Sequence, residues 1–187
     1  MSPQDADAAR IGDILGAFYA GRTDRNVCRA AVIDLVLARI RCQRVSMWKF
    51  EGVPGRLNLL CFASKTADGA LDTTERRLAQ HEYRDYFNAL IERGTFVSGD
   101  VLRDPALAAM RESYLVPNHV RSLLDAAFLL NGRAYGMVCC EETKAPREWR
   151  AGEVMALRAI VTRLALLMSG APESVLWTTP SLPLHSL

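Results

Sequence analysis

The chain has 187 residues, half of them hydrophobic and 24% charged, which suits one domain with its own core and excludes a disordered chain, a collagen-like repeat or a disulfide mini-scaffold. Lys plus Arg number 23 against 21 Asp plus Glu, a net charge of +2, so the basic excess of a nucleic-acid binder is missing. Apolar runs such as Leu164 to Met168 fall far short of the roughly 20 residues a membrane span needs, Met1 to Arg10 lack the apolar run of a secretory leader, and five cysteines without a CxxC spacing predict reduced thiols in a cytoplasmic protein.

Residues 6 to 20 read as an amphipathic helix, with Ile11, Ile14, Leu15 and Phe18 at helical spacing and Gly21 past its end. Asp24 caps a second helix over 25 to 41, striped by Val32, Leu35, Val36 and Ile40. Strands over 44 to 51 and 57 to 64 flank Gly52, Pro54 and Gly55 and predict a hairpin. A loop fills 65 to 76. Helical spacing returns over Gln80 to Arg93, a short strand covers Thr95 to Ser98, and Pro105 opens a helical stretch to Tyr114. Strands over 119 to 130 and 133 to 142 flank Asn131-Gly132, a strong hairpin signal. The last helix, 151 to 169, carries Val154, Leu157, Val161, Leu164 and Met168, widened by Ile160 and Leu167 beyond what one side of a sheet requires. The domain spans 1 to 170, and the Pro-containing tail, 171 to 187, reads as irregular. This order predicts an α+β fold, an antiparallel sheet with the terminal helices on one face and the middle helices over the other, and a ligand pocket under the middle helices.

The strand from His119 to Leu130 has one nearly apolar parity, Val120, Ser122, Leu124, Ala126, Phe128 and Leu130, and another that holds Arg121, Leu123 and Asp125. A charged Asp inside a strand needs a partner or a purpose. A type I′ turn pairs Leu130 with Arg133, whereas a turn with a glycine bulge pairs Leu130 with Ala134, and the choice moves every side chain of the second strand to the other face. The bulge is preferred, because it places Met137, Cys139 and Glu141 beside Asp125 and keeps Glu141 out of the apolar core. Arg121 pairing with Asp125 as a purely structural contact, with Glu141 in solvent at the strand end, is the plainer alternative.

Residues 45 to 50 (Val-Ser-Met-Trp-Lys-Phe), 82 to 90, 114 to 125, 131 to 142 and 146 to 153, in this order, resemble GAF domains, particularly those of bacterial histidine kinases and of phytochromes. The resemblance spans about residues 10 to 170. It implies a PAS-related sheet of six antiparallel strands, a small-molecule pocket away from the terminal helices, and a parallel homodimer through those helices. It places Tyr114, Leu123, Asp125, Cys139 and Glu141 among pocket-lining residues, with Arg111 where phytochromes carry a histidine; Tyr86, Arg121 and Met137 complete the ligand-lining set. The Pro-x-Ser-Asp-Ile-Pro stretch and the bilin-attaching cysteine segment of those relatives are missing, so a covalent bilin is not expected. The Asn-Lys, Phe, Asp-Glu signature of cyclic-nucleotide binders is replaced by Glu142, Thr143, Lys144, Trp149 and Glu153.

Cys139 and Cys140 point to opposite faces of a strand and do not jointly ligate one ion, and no metal is expected. His81, His119 and His185 lack ligand spacing, and no phosphate loop, nucleophile elbow or zinc motif occurs. The expected function is a stand-alone sensor that binds an unidentified small molecule and acts in trans on a signalling partner such as a histidine kinase, without nucleic acid or membrane. The alternatives are a thiol enzyme resembling the free methionine sulfoxide reductases, with Cys139 as nucleophile, and a domain that only dimerises.

Overall fold

The computed structural model describes residues 2–130 and 133–169; the Asn131-Gly132 turn and the tail over 171 to 187 lie outside the described residues. Two helices open the chain. In α1 (Pro3–Tyr19), Ser2 and Asp5 satisfy each other's backbone N–H groups in a capping box, with Pro3 in the first turn. The helix thus begins three residues earlier than the apolar spacing predicts. In α2 (Arg25–Ile40), Asp24 accepts from the Val27 N–H at 2.9 Å, and Arg41 ends the helix in the left-handed region.

Six antiparallel strands follow: β1 (Arg44–Val53), β2 (Arg56–Thr66), β3 (Arg76–Ala79), β4 (Thr95–Ser98), β5 (Ser122–Leu130) and β6 (Arg133–Glu142), in spatial order β3-β2-β1-β6-β5-β4. The strand β3 falls at the end of the predicted loop, so α3 (Arg84–Arg93) begins later than Gln80. Gln80 extends the β2–β3 pairing instead, exchanging backbone and side-chain hydrogen bonds with Leu57. The stretch from Pro105 divides into a 3₁₀ turn (Pro105–Met110) and a π-helical turn (Arg111–Leu115). The chain closes with α4 (Ala151–Ser169).

Two cores lie on opposite faces of the sheet. Ile11, Leu15, Val32, Val36 and Leu157, from the terminal helices, pack on Val45, Met47, Leu124, Ala126, Val138 and Cys140. On the other face, α3 and the two turns cover Trp48, Cys61, Leu123, Met137 and Cys139 with Tyr86, Phe87, Leu90, Leu107, Met110 and Tyr114. Leu157 and Leu164 are fully buried in the first core. The stripe of α4 from Val154 to Leu167 is therefore consumed by the sheet and by α1 and α2 within one chain, and among the described residues the exposed large apolar side chains of α4 are Met155 and Leu166. Among the described residues no helix is long and apolar enough to cross a membrane.

Candidate functional site

The register of β5 and β6 decides which side chains meet. Leu130 pairs with Arg133 and Leu129 with Ala134, and then Phe128 pairs with Gly136, so Tyr135 is the extra residue of a bulge. The bulge predicted at Gly132 sits three residues later, and beyond it the pairing is the predicted one: Asp125 lies opposite Cys139 and Leu123 opposite Glu141. Both acidic side chains face away from the terminal helices, and both are fully buried.

Each carboxyl group has its own neighbours. Tyr86, on α3, donates its hydroxyl to Asp125 Oδ2 at 2.7 Å and touches Met137 Sδ at 3.3 Å. Asp125 Oδ1 is buried and accepts no hydrogen bond. Glu141 is fully satisfied: Tyr114 donates to Oε1 at 3.1 Å and Arg44 Nε donates to Oε2. The same guanidinium reaches the Asn118 carbonyl at 3.2 Å, and the Asn118 side chain donates to the Tyr114 carbonyl at 2.7 Å, which ties the π-helical turn to the sheet.

The electrostatics follow from this sorting. Burial pushes the Asp125 carboxyl up to about 7; Cys139 and Tyr86 pull it back in part, and Glu141 adds to the rise. Burial alone would lower the Arg44 guanidinium, but Glu141 outweighs it and holds Arg44 above its ordinary value. Burial raises Tyr86 well above an ordinary phenol, reinforced by Asp125, and raises Tyr114 likewise, reinforced by Glu141. The Cys139 thiol is driven well up by burial and by both carboxyl groups, which withholds the thiolate a nucleophile needs.

Of the predicted set, Tyr86, Tyr114, Leu123, Asp125, Met137, Cys139 and Glu141 come together in one buried cluster. Arg121 does not join it. It sits just before β5, its backbone bonded to Glu142 and Val101 and its Nε buried without a partner, so the plainer alternative of an Arg121–Asp125 pair does not form. Asp125 is bonded by Tyr86, and the guanidinium in the cluster is that of Arg44, on Glu141. Arg111 opens the π-helical turn, half-buried, and its Nε likewise has no partner. Sequence reading missed Arg44, Ser46 and Asn118. Arg44 lies opposite Glu141, Ser46 opposite Cys139 and Trp48 opposite Met137, so the alternation of β1, read as that of β5 was, would have found the first two; Asn118 had no such signal.

The cluster is packed shut by its own side chains: Asp125 and Glu141 are 0% exposed and Tyr114 only 8%. Grooves among the described residues lie elsewhere, one of about 340 Å³ between α1 and α4.

A family model for the GAF domain matches residues 24–168. The chain belongs to the GAF domain family. Comparison with curated proteins finds no match. The fold of this GAF domain is similar to that of the phycocyanobilin-bound GAF domain from a cyanobacterial phytochrome, at 16% identity and a TM-score of 0.68, covering 90% of this chain and 95% of that one. It is also similar to the blue-light-absorbing form of the PixJ GAF domain of Thermosynechococcus elongatus (16% identity, TM-score 0.61, 75% and 84% covered). The chromophore-binding domain of a Stigmatella aurantiaca phytochrome gives 13% identity and a TM-score of 0.62, with 89% of this chain and 61% of that one covered. At these identities the likeness is one of fold.

Proposed function

We propose that this GAF domain is a cytoplasmic, non-catalytic sensory module that binds a small molecule on the sheet face under α3 and the two short turns. The single observation that carries the reading is the buried polar cluster there. An Asp and a Glu with hydroxyl, thiol and guanidinium partners are costly in an apolar core, and Asp125 keeps one oxygen unbonded. The phycocyanobilin-bound neighbour supports it, since the same fold accommodates a ligand in that protein.

The bound state passes to the terminal helices through β6. Next to Glu141, Glu142 bonds Arg147, and Arg147 bonds Glu153 at the start of α4 and the Ile40 and Arg41 carbonyls at the end of α2. We propose a homodimer through the helical face and a signalling protein such as a histidine kinase as partner in trans. Native mass spectrometry of the protein purified from its own host tests the binding claim. A stoichiometric small molecule is expected, absent from an Asp125→Ala variant that retains its circular dichroism; wild type without any retained molecule would overturn it.

A further inference from the structure

Resting on the reading that this face binds a small molecule, we propose that its ligand is a planar nitrogen cation of the amidine or guanidine class, held by its N–H groups on the free oxygen of Asp125 against aromatic rings. The argument begins with the count of partners. Both oxygens of Glu141 are taken, by Arg44 and Tyr114, and Arg44 spends its remaining reach on the Asn118 carbonyl. Asp125 has Tyr86 on Oδ2 and the Cys139 thiol beside it, while its Oδ1 is buried without a formed hydrogen bond and no cation stands next to it. What the site lacks is thus a donor that carries positive charge. An anion would oppose the ionisation of Asp125 and meet no free cation beside it, and a neutral hydrocarbon would leave the orphan oxygen as it is.

The walls decide the shape. Phe96 on β4 lies directly opposite Asp125, and the Tyr86 ring stands edge-on to Phe96 at 5.1 Å and to Phe87 at 5.9 Å. Flat rings favour a flat, weakly hydrated cation over a compact ammonium, and an amidinium matches the planar fork of a carboxylate. The cover over the cluster, which packs Leu107, Met110 and Leu115 into the core, has to move for a ligand to enter. The turns over 105 to 115 are bonded to α3 through the Tyr83 and Ser113 hydroxyls at 3.0 Å, and to the sheet face through Tyr114.

Protonation supplies an independent handle. The titratable groups that face Asp125 are Tyr86 on α3 and Cys139 and Glu141 on β6; Phe96, from β4, does not titrate. Tyr86 and Cys139 stay neutral through the neutral range, and Asp125, raised to about 7 by burial, changes charge within it. A cation then binds more tightly as pH rises, since it must displace the proton.

The test uses the full chain and three isosteric probes, benzamidinium, benzamide and benzoate, followed through the methyl resonances of Leu123 and Met137. Benzamidinium should shift these methyls saturably, at least about tenfold more tightly than either isostere, and about tenfold more weakly near pH 6 than near pH 8. Asp125→Asn should cost about tenfold or more and remove the pH dependence. Should that variant fail to fold, the wild-type pH series decides alone. Equal binding of benzoate or benzamide, or binding indifferent to pH, overturns the cation class while leaving a small-molecule site standing. Silence from all three probes overturns it too, and native mass spectrometry then decides separately whether the face binds anything.

Discussion

Asp125 and Glu141 share a face and a depth, yet the two carboxyl groups have different fates, because one has a cation and the other does not. The Asp125 carboxyl sits near 7 in the folded chain against an ordinary value near 3.8. The folded state then holds a proton that the unfolded state has lost, so stability falls as pH rises from about 4 to about 7, on the order of 4 kcal/mol in all. Urea unfolding at about pH 5 and about pH 8 should show wild type losing more stability than Asp125→Asn; parallel losses would mean that Asp125 is ionised throughout. For the Glu141 pair, removing one partner is expected to cost more than replacing both. Arg44→Ala strands a buried carboxylate and should cost about 3 kcal/mol or more, whereas replacing the pair together, Arg44→Met with Glu141→Leu, should cost less than the single change. At this scale Asp125 and Glu141 were legible because a charge inside an alternating strand is conspicuous. Arg44 was hidden, because an arginine at a strand start looks like any solvated terminus until its opposite residue is known.

Among the elements, the ones with strong caps or long periodicity were readable and the short ones were not. The strand β3 has four residues, two of them arginines, and is a strand only because Asn58 to Cys61 offer their backbone groups to it. The inward residues Leu107, Met110, Tyr114 and Leu115 have helical spacing, so a helix over 105 to 114 was legible, but not the tighter and then wider hydrogen-bond pitch that carries it. The α4 stripe shows a different limit: its width fitted either a second copy or a crowded interior, and the structure fills it from α1, α2 and the sheet. Leu157→Glu with Leu164→Glu should therefore abolish the cooperative thermal transition rather than release a folded monomer. Leu166, 56% exposed, is the better probe of association. Leu166→Glu should leave unfolding within about 0.5 kcal/mol of wild type, and sizing chromatography then reads whether a dimer has been lost through the helical face.

For the whole molecule, one side chain does much of the joining. Arg147 stacks on Trp149 with its guanidinium 4.4 Å from the ring, bonds Glu142 and Glu153, and caps the open carbonyls at the end of α2. Arg147→Ala should cost about 2 kcal/mol, and hydrogen exchange should speed up together at the end of α2 and the first turn of α4. Faster exchange confined to one of them would separate the two helices energetically.

The sheet order places β1 and β6 side by side at its centre, although Arg44 and Glu141 stand 97 residues apart in the chain. The β1–β2 and β5–β6 hairpins each close from local sequence, but the seam between them must wait for most of the chain to collapse. The buried ion pair spans that seam, so the interior in which Asp125 is sealed depends on a pairing that no local segment can make by itself.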